Sequence, residues 1–270
     1  MTVATAPAGT KLANYKPIGD GVALIELNDP PANTYTHEMM LDLDAAIMAA
    51  RFDDDVYTVV LTGFGEKFFC AGANIKMLAS VTPKFKYYFC LHANETLSRM
   101  EQTPKLFIAA LNGHCVGGGL EIAMATDMII AKKNAGKLGL PEINLGVLPG
   151  TGGTARLTRI VGKRKAMELM IKGDNFSFEQ GKEMGIVTDI FEAEGFMDKV
   201  IAFAKSFCPP NKAAKAVANI KRSCQSGAEI PFENALTLER ELQQQLFQSE
   251  DAKEGLNAYV EKRTPKFKGK

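Results

Sequence analysis

The chain has 270 residues, 46% of them hydrophobic, with 32 basic and 31 acidic side chains and a net charge of +1. That supports one sizeable core, or a core with a smaller appended unit, and no charge block of either sign points to a nucleic-acid partner. No apolar run approaches the ~18 residues of a membrane span, and the five cysteines and three histidines are scattered without metal-ligand spacing.

Cys70, Cys90, Cys115, Cys208 and Cys224 include no CxxC pair. They read as reduced thiols of a cytoplasmic protein. Met1–Thr10 is rich in Ala and Thr and has no charged side chain. It lacks the apolar centre of a signal peptide and the arginines of a transit peptide, so residues 1–14 read as a flexible tail.

Val22 to Leu27 is an apolar, β-branched run stopped by Asn28-Asp29-Pro30-Pro31, which predicts a strand and a turn. Thr36 is placed to cap a helix running to about Phe52, with Met40, Leu43, Ile47 and Ala50 on one stripe. A second strand is expected from Val56 to Thr62, then a tight loop through Phe68-Phe69-Cys70-Ala71-Gly72-Ala73-Asn74 and a short helix from Ile75. Another helix is expected from Tyr87 to Gln102, ended before Pro104. Leu106–Leu111 and Met128–Ala131 read as the third and fourth strands, with a helix from Gly118 between them. Strand and helix alternate, so the fold class is α/β with parallel pairings. Beyond about residue 160 the pattern turns helical to the end. The division expected is a core over 15–205 and a helical region over 206–270.

The most informative stretch is Gly117-Gly118-Gly119-Leu120-Glu121. Consecutive glycines let backbone approach a ligand and let a helix begin abruptly. The free N–H groups of that start can face an oxygen gaining negative charge. Glu121 falls in the first turn, and Glu142 follows a proline in a Gly-rich stretch reaching Gly150 and Gly153. Alone, Glu121 is equally a surface residue complementing the helix dipole, and Glu142 a solvated loop carboxylate. The loop Cys70 to Asn74 is equally a packing corner. Two such loops can each supply one N–H to a single oxygen. The aromatic cluster Phe85, Tyr87, Tyr88 and Phe89 reads mostly as core. Cys115 as a nucleophile lacks a placed histidine partner. Neither a phosphate-binding GxxxxGK[ST] loop nor a dinucleotide GxGxxG is present.

Four ordered segments resemble the crotonase, or enoyl-CoA hydratase/isomerase, superfamily over about residues 15–270. They are Phe69 to Lys76, Asn112 to Glu121, Pro141 to Thr154, and the ending Glu250 to Pro265. The resemblance implies a crotonase-like spiral of ββα units with a C-terminal helical trimerisation region. It implies a homotrimer, commonly paired as a homohexamer. By the same resemblance the N–H groups of Ala73 and Gly118 form an oxyanion hole for a thioester oxygen. Glu121 and Glu142 share one catalytic water, the N–H of Gly150 orients it, and Ala71, Ile75 and Lys76 bind coenzyme A.

The activity implied is hydration of a 2-enoyl-CoA to a 3-hydroxyacyl-CoA, as in fatty acid β-oxidation. No metal or further cofactor is expected; coenzyme A belongs to the acyl-CoA substrate. Both glutamates are kept, which favours hydration over the isomerases that retain only the second. The alternatives are an enoyl-CoA isomerase, a hydratase for a cyclic or branched dienoyl-CoA, or a CoA-binding protein without turnover. Three departures stand out. Asn74 replaces a frequent Asp, the segment from Glu121 to Glu142 is one residue longer through Asn134 to Lys137, and Asn33-Thr34-Tyr35-Thr36 replaces an Asn-Ala-Leu pattern that lies near CoA in the family.

Overall fold

The computed structural model describes residues 11–270. The segment Met1–Thr10, read from sequence as tail, lies outside the described residues. Ala13 and Asn14, read as tail too, instead open strand β1 (Ala13–Gly19), which pairs antiparallel with β2 (Val22–Leu27). Their connection runs through Gly19, Asp20 and Gly21 at φ of 88°, 52° and 77°, a left-handed path that two glycines supply at little cost.

Helix α1 (His37–Phe52) starts where Thr36 caps it, the Thr36 side chain accepting from the N–H of Met39. It buries Met39, Met40, Leu43, Ala46, Ile47 and Ala50, the stripe read from the periodicity. Then come β3 (Thr58–Gly63), β4 (Phe68–Cys70), α2 (Ile75–Ser80), α3 (Pro83–Gln102), β5 (Leu106–Leu111), β6 (His114–Val116), α4 (Gly118–Met124), β7 (Met128–Lys132) and β8 (Lys137–Gly139). A single 3₁₀ turn, Glu142–Leu145, leads to α5 (Gly153–Val161) and α6 (Lys163–Lys172). The chain ends through β9 (Phe176–Ser177), α7 (Phe178–Glu183), β10 (Asp189–Phe191), α8 (Phe196–Lys205), α9 (Ala214–Gly227), α10 (Phe232–Phe247) and α11 (Glu250–Glu261).

Two sheets take alternate strands of the central region. One sheet has the order β1-β2-β3-β5-β7-β10, parallel except for the β1–β2 pair. The other has the order β4-β6-β8-β9, parallel except for β8–β9. The pairs β3–β4, β5–β6 and β7–β8 are therefore successive turns of one path. Each lays its first strand in the large sheet and its second in the small one. The expected stacked ββα turns are present, followed by the expected C-terminal helices.

The large sheet is covered on both faces, as parallel sheets require. Ile25, Val59, Leu61, Phe107 and Ala109 join the main core, which includes residues of α1, α3 and α4. Val22, Val60, Leu106, Ile108 and Ala110 point the other way, against Phe196, Val200 and Ala204 of α8. The alternation is the side-chain period of a strand, and it explains why β3 and β5 are buried at every position. Of the aromatic cluster read as core, only Phe89 is buried; Phe85, Tyr87 and Tyr88 are 39%, 66% and 56% exposed. Helix α3 starts at Pro83, a turn before the expected Tyr87, because Thr82 caps it and Pro83 fits its first turn.

Candidate active site

The small sheet assembles the site. Strands β4, β6 and β8 are adjacent and parallel, so their C-terminal ends lie side by side. Ala73 follows β4, Gly118 and Glu121 follow β6, and Glu142 follows β8. Residues distant in sequence thus meet at one edge, the usual place for a ligand on a parallel sheet.

Backbone contact at that edge demands glycine. Gly117 sits at φ 55° as the residue before α4, where the chain turns sharply out of β6. A Cβ on Gly119 would lie 2.8 Å from the carbonyl carbon of Cys70. Gly72, at φ 89°, approaches so closely that a Cβ there would stand 3.0 Å from the Gly118 nitrogen. The loop carrying Ala73 is therefore packed on the start of α4. Among the described residues no protein oxygen accepts from the N–H of Ala73 or of Gly118.

Glu121 is 1% exposed. Its Oε1 accepts two hydrogen bonds of 2.7 Å, from the N–H groups of Thr151 and Gly153. Burial raises its pKa, while the N–H groups of Gly153 and Thr151, and then the Lys86 charge, oppose the rise. Glu142 opens the 3₁₀ turn behind Pro141, and its buried Oε2 has no hydrogen-bond partner. Burial first, and then the charge of Glu121, lift its pKa from 4.5 to about 7, against its own backbone N–H and Lys86. One carboxylate is anchored by backbone N–H groups, and the other has an unpartnered buried oxygen and a pKa raised to about 7.

Both carboxylates line a cavity of about 440 Å³ with Ala73, Gly118, Gly150 and Ala71. Ile75 lines it too, 54% exposed at the mouth. Lys76, grouped with Ala71 and Ile75 from sequence, is an exposed residue of α2 outside that lining. Cys115 is fully buried, and burial holds its thiol well above the ordinary range. Among the described residues no three His, Cys, Asp or Glu side chains converge as a metal site, and no helix is long and apolar enough to cross a membrane.

Three wall residues had no individual role in the sequence reading. Tyr35 is 2% exposed, and its hydroxyl lies 2.9 Å from Thr151 Oγ1. Thr151 sat in a stretch read only for its glycines. Lys86 reaches the cavity from α3, its Nζ 5.3 Å above the Phe89 ring. A helix beginning at Thr82-Pro83 was the signal that would have placed Lys86 beside Phe89.

The enoyl-CoA hydratase/isomerase family model matches residues 17–270. A probable enoyl-CoA hydratase of Bacillus subtilis is 37% identical over 92% of this chain and 95% of its own. A short-chain-enoyl-CoA hydratase of Clostridium acetobutylicum is 35% identical over 90% of this chain and 92% of its own. The crystal structure of an enoyl-CoA hydratase from Geobacillus kaustophilus superposes with a TM-score of 0.94 at 42% identity, covering 97% of this chain and 98% of that one. Sequence match and shared architecture both run nearly end to end, and the chain belongs to the enoyl-CoA hydratase/isomerase family, the crotonase superfamily.

Proposed function

We propose that the protein is a hydratase that adds water across the double bond of a 2-enoyl-CoA, giving a 3-hydroxyacyl-CoA. The observation that carries this is the meeting of Glu121, Glu142 and the amides of Ala73 and Gly118 on one cavity. A thioester carbonyl directed at those two amides places its growing negative charge between donors worth roughly 3 kcal/mol each in such sites. The β-carbon then lies toward the carboxylates.

Water is a poor nucleophile until a base takes its proton. Glu121, fixed by two N–H donors, takes that proton as the water oxygen bonds to the β-carbon. The π electrons move to the thioester oxygen. Glu142, neutral over much of the range below pH 7, returns a proton to the α-carbon as the carbonyl re-forms. The proton on Glu121 passes to Glu142 to reset the site, so one water is consumed and nothing is oxidised. The N–H of Gly150 faces the water in this scheme, and Ala71 and Ile75 contact the coenzyme A portion. Names of relatives such as the short-chain hydratase above support a short acyl group, and the family resemblance supports a trimer built on the C-terminal helices.

The test is crotonyl-CoA with purified protein, following the loss of conjugated enoyl-thioester absorbance and the product mass. A product heavier by one water supports hydration. A product of unchanged mass with a displaced double bond would make the protein an isomerase instead.

A further inference from the structure

Tyr35 has no part in the scheme above, yet it contacts Thr151, Gly118 and the loop that carries Ala73. We propose that Tyr35 is a positioning residue of the hydration site, setting the Glu121 carboxylate against the Gly118 amide through Thr151. The assignment rests on the hydratase reading.

Four contacts carry it. The phenol oxygen lies 2.9 Å from Thr151 Oγ1, both groups being buried. The N–H of that same Thr151 donates to Glu121 Oε1 at 2.7 Å. The ring is packed on Gly118, where an added Cβ would lie 2.7 Å from Tyr35 Cζ. The Tyr35 backbone brackets Ala73: its N–H donates to the Gly72 carbonyl and its carbonyl accepts from the Asn74 N–H, each at 3.0 Å. One side chain and its own peptide groups therefore connect the two amides to the loop that holds the base.

The phenol is neutral in these surroundings. Burial, and then the charge of Glu121, hold the phenol well above its ordinary pKa, so it keeps its proton. Either hydroxyl can donate in the 2.9 Å contact between Tyr35 and Thr151. Phe89, its ring centroid 5.6 Å from that of Tyr35, supports the ring on another side. A side chain needed only to fill space would not bury a hydroxyl there, since a buried hydroxyl is costly unless it is bonded.

The experiment measures kcat and KM for crotonyl-CoA, with thermal melting as a fold control, in wild type, Tyr35→Phe, Thr151→Val, Thr151→Ser and the Tyr35→Phe/Thr151→Val double variant. Tyr35→Phe keeps the ring and removes only the hydroxyl. The expected result is a fall of about tenfold in kcat with KM changed less than about twofold. Thr151→Val should lose as much, and Thr151→Ser less. The double variant should be no worse than either single one, because both break the same link. A Tyr35→Phe protein that melts lower but keeps kcat and KM overturns the assignment and leaves hydration standing. A wild type that hydrates no 2-enoyl-CoA overturns the hydratase reading, and the Tyr35 role with it.

Discussion

Glu121 and Glu142 face one cavity, but only the first is held by N–H groups of another segment. Two N–H groups hold Glu121 Oε1, from Thr151 and Gly153. Glu142 Oε2 is buried with no partner, and burial lifts its pKa to about 7. Environment alone gives two chemically identical groups different surroundings, and the proposed scheme uses one as base and the other as proton donor.

That separation should be visible in stability against pH. The folded-state pKa of Glu142 lies at about 7, above the ordinary 4.5, so the folded chain holds more protons than the unfolded chain in that interval. Its contribution to stability is therefore lost as pH rises from 4.5 toward 7. Glu121 acts in the same direction. Melting temperatures of wild type and Glu142→Gln, taken across that range, should diverge in favour of the variant as pH increases. Parallel curves would contradict the raised pKa.

Replacing either carboxylate by its amide should remove turnover without unfolding the site. Gln at position 121 still offers an oxygen to the Thr151 and Gly153 amides but no longer accepts a proton from water. We expect Glu121→Gln and Glu142→Gln each to lower kcat for crotonyl-CoA by about 10²–10⁴-fold while melting no lower than wild type. A loss below about tenfold in both would sink the two-carboxylate scheme.

The glycines before Glu121 differ in what a methyl group would strike. At Gly118 it meets the Tyr35 ring, and at Gly119 it meets the backbone of Cys70 in β4. A side chain can tilt, whereas a sheet strand resists. Gly119→Ala should destabilise the protein by about 1–3 kcal/mol in urea unfolding. Gly118→Ala should cost less stability and more of kcat, since it displaces the amide proposed to meet the oxyanion. Equal effects on both measurements for both variants would count against this distinction.

Lys221 and Asp127 form a buried ion pair, Nζ to Oδ2 2.9 Å, with side chains 5% and 10% exposed. The lysine also donates to the carbonyls of Met100 and Lys105, and the Phe107 N–H donates to Asp127, so the pair ties α9 to α3 and β5. Burial pushes Lys221 down and Asp127 up, each toward neutrality, which their mutual attraction opposes. Lys221→Met leaves a carboxylate buried without its counter-ion and should cost about 3–5 kcal/mol in denaturant unfolding. Lys221→Met with Asp127→Asn should cost less than Lys221→Met alone. A double variant less stable than the single one would show the charge pair is not the cause.

Long elements with a clear period were legible in the sequence. Leu106–Leu111 and the α1 stripe with its Thr36 cap are where the pattern puts them. The small sheet was not legible. Phe68–Cys70, His114–Val116 and Lys137–Gly139 are three-residue strands, too short to show an alternation, and Phe68–Cys70 read as loop. Yet it is this sheet that brings Ala73, Gly118, Glu121 and Glu142 together. Their convergence was available only through resemblance to a family. Tyr35 registered as a departure from a pattern, but its partner Thr151 is 116 residues away, a contact no local signal carries. Helix α5 was missed because Gly152 and Gly153 read as loop, whereas Gly152 takes a left-handed φ of 98° and starts the helix.

The C-terminal helices carry apolar residues that the single chain leaves uncovered. On α11, Leu256, Tyr259 and Val260 are 54%, 86% and 79% exposed, and their spacing puts them on neighbouring helical positions. At the ends of α10, Phe232 and Phe247 are 74% and 64% exposed. Apolar surface of this kind marks an association face. The trimer proposed above would bury part of it. Sedimentation equilibrium should give a mass of three chains for wild type and of one chain for a Tyr259→Asp/Val260→Asp variant, since two carboxylates cannot be desolvated there without partners. A wild type that sediments as one chain would contradict the trimer. A variant that stays trimeric would move the interface off α11 and onto α9 or α10.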